Sequence, residues 1–271
     1  MGLDPDPASL GGASEAASDP ARAAAEAVVA DCERLIEAAG PACVAAKPQL
    51  ACFERLGAPG WEALERVVAE AQRAGLLVIA DGKRGDVPVS ASAYAQSLFG
   101  STPTRWGDVP GLDADAATIN PLLGADAMEP LIEAAERADA GLFVLVRTSN
   151  PGAADLLDLP APERPLFERL AELVAARANR LAGLSGLSGL GAVVGATEPR
   201  HLGRLRELMP ESVFLLPGVG AQGGRVSDLG AAFGTSPAAT IVTASRSIAR
   251  AEDPATAAQD LRQEVWELSG A

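Results

Sequence analysis

A chain of 271 residues, 48% hydrophobic and 21% charged with a net charge of −14, has the composition of a soluble globular protein, long enough for one large α/β barrel or two small domains. The acidic balance speaks against nucleic acid and against anionic membranes as partners, because both require a basic face; an anionic substrate would need a local basic cluster. No apolar run approaches the roughly 18 residues of a membrane span, no signal-peptide pattern is read at the start, and Asp6 stands where a myristoylation motif needs Ser or Thr, so a cytoplasmic protein is expected.

Met1-Gly2-Leu3-Asp4-Pro5 reads as only the last residues of a strand, ending at Asp4. The Ala- and Ser-rich segment 8–22 is of low complexity and predicts a mobile loop leading into a helix over 23–39. Strand-like runs follow at 42–47, 76–81, 116–120, 141–147, 190–196, 212–216 and 239–244. Between them lie amphipathic helical segments at 61–74, 126–138, 165–181, 199–208 and 254–268. Segment 100–111, with Trp106 and two prolines, is longer than a usual βα connection and reads as a lid, a subunit contact or a plain surface insertion. The small repeat at 184–191 reads as a loop. Cys32, Cys43 and Cys52 are odd in number and lack CxxC spacing, which fits reduced thiols used as small core residues. His201 is the single histidine, so multi-histidine metal sites are excluded, and a structural or exposed place at a helix start is expected for it.

Repeated βα units predict a parallel sheet. Seven strands plus the fragment at the start make eight, so the fold expected is a single-domain TIM (β/α)8 barrel over 1–271 with its first strand truncated. A doubly wound sheet is the alternative, but no Gly-x-Gly-x-x-Gly follows the first strand. The start suggests that about one further helix and strand lie upstream, since a βα unit needs that much.

The stretch Asp81-Gly82-Lys83-Arg84-Gly85-Asp86 carries the sharpest chemistry. In a regular strand Asp81 and Lys83 share a face, and Asp86 lies just beyond, where the chain can fold back. An ammonium held between carboxylates has its charged form favoured. Lys83 is therefore expected to donate a proton rather than to act as a nucleophilic amine. Barrel active sites are built at the carboxyl ends of the strands, and polar residues recur there: Asp4, Lys47, Asp81, Lys83, Ser149 and Arg246. The loops after the last two strands commonly bind phosphate in this fold. Here they hold a glycine-rich turn from Pro217 to Gly224 and the forked guanidinium of Arg246.

Taken together, DGKRGDV, SNPGA at 149–153, PGVGAQ and ASRS resemble, in order and spacing, the signatures of the orotidine 5'-monophosphate decarboxylases, in particular a longer bacterial subgroup. The similarity runs from Gly2 to about Arg250. The resemblance implies a (β/α)8 homodimer with shared active sites, acting on a nucleotide without metal or organic cofactor. It implies a charge network of Lys47, Asp81, Lys83 and Asp86, the last reaching into the partner's site. Asp4 and Lys47 would bind ribose hydroxyls, Ser149 the pyrimidine edge, and Gln222 and Arg246 the phosphate, with Pro217 beside it. Val87 would line the carboxylate pocket and Ser90 supply a hydroxyl. Two other readings stand beside this one: a Mg2+-dependent phosphosugar decarboxylase or synthase, which shares DxKxxD, and a non-catalytic nucleotide-binding protein. Arg84 is expected to form a structural ion pair, and Asn120, closing its strand, is a further candidate for ligand contact.

Overall fold

The computed structural model describes residues 1–10, 18–234 and 236–270, so 11–17 of the predicted mobile loop lie outside the described residues. The chain folds as two compact units, one formed by Met1–Gly82 with Ser245–Arg262 and the other by Lys83–Ala244 with the segment from Gln263.

In the first unit, β1 (Gly2–Leu3) is followed by α1 (Pro20–Ala39), β2 (Ala45–Pro48), α2 (Leu50–Glu54), α3 (Ala58–Arg73) and the body of β3 (Leu77–Arg84). Helix α1 starts where it does because Asp19 caps it, accepting from the Arg22 amide at 3.1 Å, and Pro20 follows in the first turn, where its missing N–H is no loss. Its apolar stripe, Val28, Cys32, Leu35 and Ala39, is buried, as is that of α3, with Leu64, Val67, Val68 and Ala71. Each fully buried aliphatic side chain of this kind contributes roughly 1.5–3 kcal/mol. The two helices are tied across their outer edge by Arg66 on Glu26 at 2.7 Å. Cys32 lies in the core, where burial pushes its thiol well above the usual range. Strand β1 pairs in parallel with β2 (Gly2 opposite Lys47), and β2 with β3 (Ala45 opposite Leu77). This register brings the strand ends carrying Asp4, Lys47 and Asp81 to one edge.

The second unit takes up the tail of β3 and continues through α4 (Pro88–Phe99), the hairpin β4 (Ser101–Thr104) and β5 (Gly107–Pro110), β6 (Ala116–Ile119), α5 (Ala125–Ala138), β7 (Gly141–Arg147), α6 (Ala154–Leu157), α7 (Leu166–Ala175), β8 (Ser188–Val194), α8 (Leu202–Leu208), β9 (Ser212–Leu216), α9 (Gly230–Phe233) and β10 (Thr240–Val242). Its strands β6 to β10 pair in parallel, each with the next. They are buried along most of their length, as parallel strands covered by helices on their faces are. After β10 the chain forms α10 (Arg246–Ala249) and α11 (Pro254–Ser269). Eight parallel strands in chain order, alternating with helices, make this the α/β barrel class that the βα repeat predicts.

Some expectations needed correction. Segment 184–191 is a loop only to Leu187, because Ser188 begins β8. The predicted helix 165–181 ends at Ala175 and gives way to a 3-10 turn at Ala178–Leu181. Helix α4 has no counterpart in the sequence reading. Segment 100–111 is an antiparallel hairpin of exposed strands with Trp106 at its tip, 81% exposed and stacked under Arg105 at 4.0 Å. His201 is half-buried, its ring tilted on Phe167 at 4.7 Å. Arg206 is buried, and its five hydrogen bonds all go to backbone carbonyls, of Met209, Ser212, Ala232 and Ala239.

Candidate active site

Lys47 is the penultimate residue of β2, and its Nζ lies 2.6 Å from Oδ2 of Asp81, with both side chains less than a tenth exposed. The Gln49 amide donates to the same oxygen at 3.3 Å. Nothing in the sequence singled out Gln49, although its place two residues after Lys47 puts it on the same face of the extended chain. A buried pair at this distance is a fixed electrostatic fixture, because both charges have left water and are held against one another. Asp4, just past β1, is exposed, and so is Arg246, the first residue of α10. Both belong to this same unit.

In the second unit the backbone departs from a regular strand at Lys83, whose φ of 49° is left-handed. The expectation that Asp81 and Lys83 share a face rests on regular alternation, and that alternation ends at Gly82. For a side chain other than glycine or asparagine this conformation costs about 1–2 kcal/mol and is kept only where surrounding contacts impose it. The contacts are visible. The Lys83 N–H donates to the Thr118 hydroxyl at 2.9 Å, and the Arg84 carbonyl accepts from the Asn120 amide at 2.7 Å. A Cβ on Gly85 would stand 2.5 Å from the Asn120 carbonyl oxygen, so only glycine lets the loop approach β6 this closely. Lys83 itself is exposed. Arg84 lies over the Tyr94 ring at 5.4 Å, a cation–π contact. Asp86 accepts from the Val87 amide at 2.7 Å, Val87 is 54% exposed at the start of α4, and Ser90 is half-buried in the helix's first turn.

Two further motifs meet directly. The Ser149 hydroxyl, just past β7, donates to Gln222 Oε1 at 2.9 Å, joining the SNPGA segment to the glycine-rich turn after β9. That turn explains its own glycines: Gly218, Gly220 and Gly223 all have positive φ, from 73° to 109°. The amides of Gly220, Gly223 and Gly224 close the turn on carbonyls within it. The glycines therefore shape the turn, and these three N–H groups bond within it. Pro217 is half-buried at its start. The sequence reading also missed Arg147 and Asp158. Arg147 ends β7 with its side chain 3% exposed and forks onto the Asp158 carboxylate, at 2.8 and 3.1 Å. Hydrogen bonding from Arg147 holds the Asp158 carboxyl below the usual carboxylate range. Among the described residues no group of three or more His, Cys, Asp or Glu side chains is arranged to hold a metal ion, and no helix is long and apolar enough to cross a membrane.

Comparison with known proteins gives this arrangement a context. A family model described as "Orotidine 5'-phosphate decarboxylase / HUMPS family" matches residues 2–261. The orotidine 5'-phosphate decarboxylase of Rhodopirellula baltica is 43% identical over 220 residues, covering 80% of this chain and 71% of that protein. The solved structure of Leishmania donovani OMP decarboxylase matches with a TM-score of 0.74 at 35% identity, covering all of this chain and 92% of that one. Leishmania donovani UMP synthase matches with a TM-score of 0.79 at 37% identity, and this chain spans 53% of its length. With nearly its whole length matched and its signature segments built into strand ends and the loops after them, the chain belongs to the orotidine 5'-phosphate decarboxylase / HUMPS family.

Proposed function

We propose that this chain removes CO2 from orotidine 5'-monophosphate to give UMP, without metal or organic cofactor, as a cytoplasmic homodimer of single-domain barrels. The observation that carries the reading is the buried Asp81 carboxylate, fixed by Lys47 at 2.6 Å two residues before Lys83. A buried charge is expensive to keep, and this reaction gives it a use. A carboxylate beside the carboxylate of the substrate repels it by about 4 kcal/mol at about 4 Å and an effective dielectric of about 20, and departure of CO2 relieves that repulsion.

Cleavage leaves the electron pair at C6 in the plane of the ring, where the ring π-system cannot accept it. Stabilisation is then electrostatic, from a charge already in place. The Lys83 ammonium supplies it and passes its proton to C6, regaining one from solvent. Its left-handed backbone, tied to Thr118 and Asn120, supports this role because it fixes where the side chain starts. Asp86 completes the charge network from the partner subunit's loop. Asp4 and Lys47 hold the ribose, Ser149 the pyrimidine edge, and Gln222 and Arg246 the phosphate beside Pro217. Val87 lines the pocket of the departing group, and Ser90 offers its hydroxyl there. Phosphate contacts far from C6 favour orientation, so a substrate lacking phosphate is expected to lose turnover as well as affinity.

The fall in ultraviolet absorbance of orotidine 5'-monophosphate, followed with EDTA present, tests the reading. Turnover by the chain that vanishes in Lys83→Ala is the expected result. Turnover that EDTA abolishes, or that survives in Lys83→Ala, would overturn the cofactor-free mechanism or the assignment of its acid.

A further inference from the structure

We infer that Arg147 and Asp158 are positioning residues of the decarboxylation, acting through Ser149; the inference rests on the proposed placement of Ser149 at the pyrimidine edge. Arg147 is the last residue of β7, and Asp158 caps the end of α6, so their contact closes a loop that carries Ser149. The contact is the strong, directional kind. Nε and Nη2 of Arg147 meet the two carboxylate oxygens at 2.8 and 3.1 Å, a fork on a fork that fixes both distance and plane. The remaining arm, Nη1, donates to the carbonyl of Thr148 at 2.7 Å, one residue before Ser149. One buried guanidinium therefore sets both ends of the segment.

Other contacts show that the segment is gripped from beneath. The Ser149 carbonyl accepts from the Thr197 hydroxyl at 3.0 Å, and the Arg147 carbonyl accepts from the Gly195 amide at 2.7 Å. A Cβ on Gly195 would stand 2.7 Å from the Ser149 Cα, so the strand end of β8 and the loop are in direct backbone contact. With the Thr148 carbonyl held by Arg147 and the Ser149 carbonyl by Thr197, the backbone that carries the hydroxyl is fixed, and the hydroxyl donates to Gln222 at 2.9 Å. A hydroxyl that must meet one atom of a substrate benefits from a backbone held in place by such neighbours. None of these groups donates to or accepts from the reacting atoms. They fix the geometry of one that does.

A cycle of variants separates this role from simple support of the fold. Asp158→Asn keeps the shape of the side chain and removes the charge that the fork grips. Its kcat/KM for orotidine 5'-monophosphate is expected to fall between about tenfold and a hundredfold, the loss that follows when a positioned group is displaced by about an ångström. Ser149→Ala is expected to lose activity on its own, and Ser149→Ala with Asp158→Asn to be no slower than Ser149→Ala alone, because the group being positioned is already gone. If the two losses multiply instead, Asp158 supports the barrel and not the serine, and the inference fails. If Ser149→Ala is as active as the parent, the placement of Ser149 is wrong and the inference falls with it. Arg147→Lys keeps the cation, loses the fork and repeats the cycle from the other side should Asp158→Asn not fold.

Discussion

Replacing Asp81 by asparagine removes one charge and almost no volume, so it isolates what the pair with Lys47 contributes. At 2.6 Å the attraction between unit charges is about 6 kcal/mol at an effective dielectric of about 20. Desolvating the two ions offsets much of this in the intact protein. The variant forfeits the attraction but still leaves the Lys47 ammonium buried, and truncating one partner in this way costs about 3–5 kcal/mol. With a urea m-value of roughly 3 kcal/mol per molar, the unfolding midpoint should fall by about 1 M or more. The companion experiment replaces both charges, Lys47→Met with Asp81→Leu. It should recover stability to within about 1 kcal/mol of the parent, since well-packed apolar groups replace a buried pair at little loss, while turnover of orotidine 5'-monophosphate disappears. A midpoint lowered by less than about 0.3 M in Asp81→Asn would refute the claim that the variant strands a buried charge, and a double variant as unstable as the single one would refute the claim that the pair is retained for chemistry and not for the fold.

Gly85→Ala should lose activity and about 1–3 kcal/mol of stability, the usual consequence of overpacking, because its Cβ would meet the Asn120 carbonyl oxygen at 2.5 Å; steady-state kinetics with urea unfolding checks both, and an unchanged kcat would separate this contact from the placement of Lys83. Arg206→Met leaves four backbone carbonyls without the donor they now share, and should destabilise the protein by about 3 kcal/mol or more; a loss under about 1 kcal/mol would mean that water replaces the guanidinium. Burial, helped by the neighbouring charge of Arg200, holds the His201 imidazole below its ordinary value. The unfolded chain therefore takes up the proton first as pH falls through about 6.5, and stability drops on acidification. His201→Phe should flatten the dependence of the urea midpoint on pH between about 5.5 and 7.5, and an unchanged slope there would assign it to other groups.

The strands were legible because a parallel strand buried on both faces is a short apolar run, and such runs are conspicuous in a sequence this acidic. Their ends were less legible. The run 76–81 stops being apolar at Asp81, yet β3 continues to Arg84 because hydrogen bonds from β6 carry it on. Helix α4 escaped notice because its residues are mostly alanine, serine and proline, so its buried positions, Ala91 and Ala95 among them, look no different from its exposed ones. Pairings that join distant segments, such as Ser149 with Gln222, leave no local trace beyond two polar residues in two loops.

Lys83 shows where a local pattern stops being sufficient. Alternation along a strand is a rule about regular backbone, and the residue whose direction matters most is the one that breaks it, with φ of 49°. No propensity argument places a lysine there, since the conformation opposes the side chain. The tertiary contacts that impose it come from Thr118 and Asn120, more than thirty positions along the chain. The sequence does carry a trace of the arrangement. Thr118 is a polar residue inside the apolar run 116–120, and its buried hydroxyl has a reason to be there only if a donor reaches it. Thr118→Val, nearly the same shape, removes the acceptor while leaving β6 packed. If the backbone of Lys83 is held for catalysis, this variant should lose more in kcat than in KM while unfolding only about 1–3 kcal/mol more easily. Unchanged kcat beside that loss of stability would show that the strained residue is tolerated by the fold and not used by the reaction.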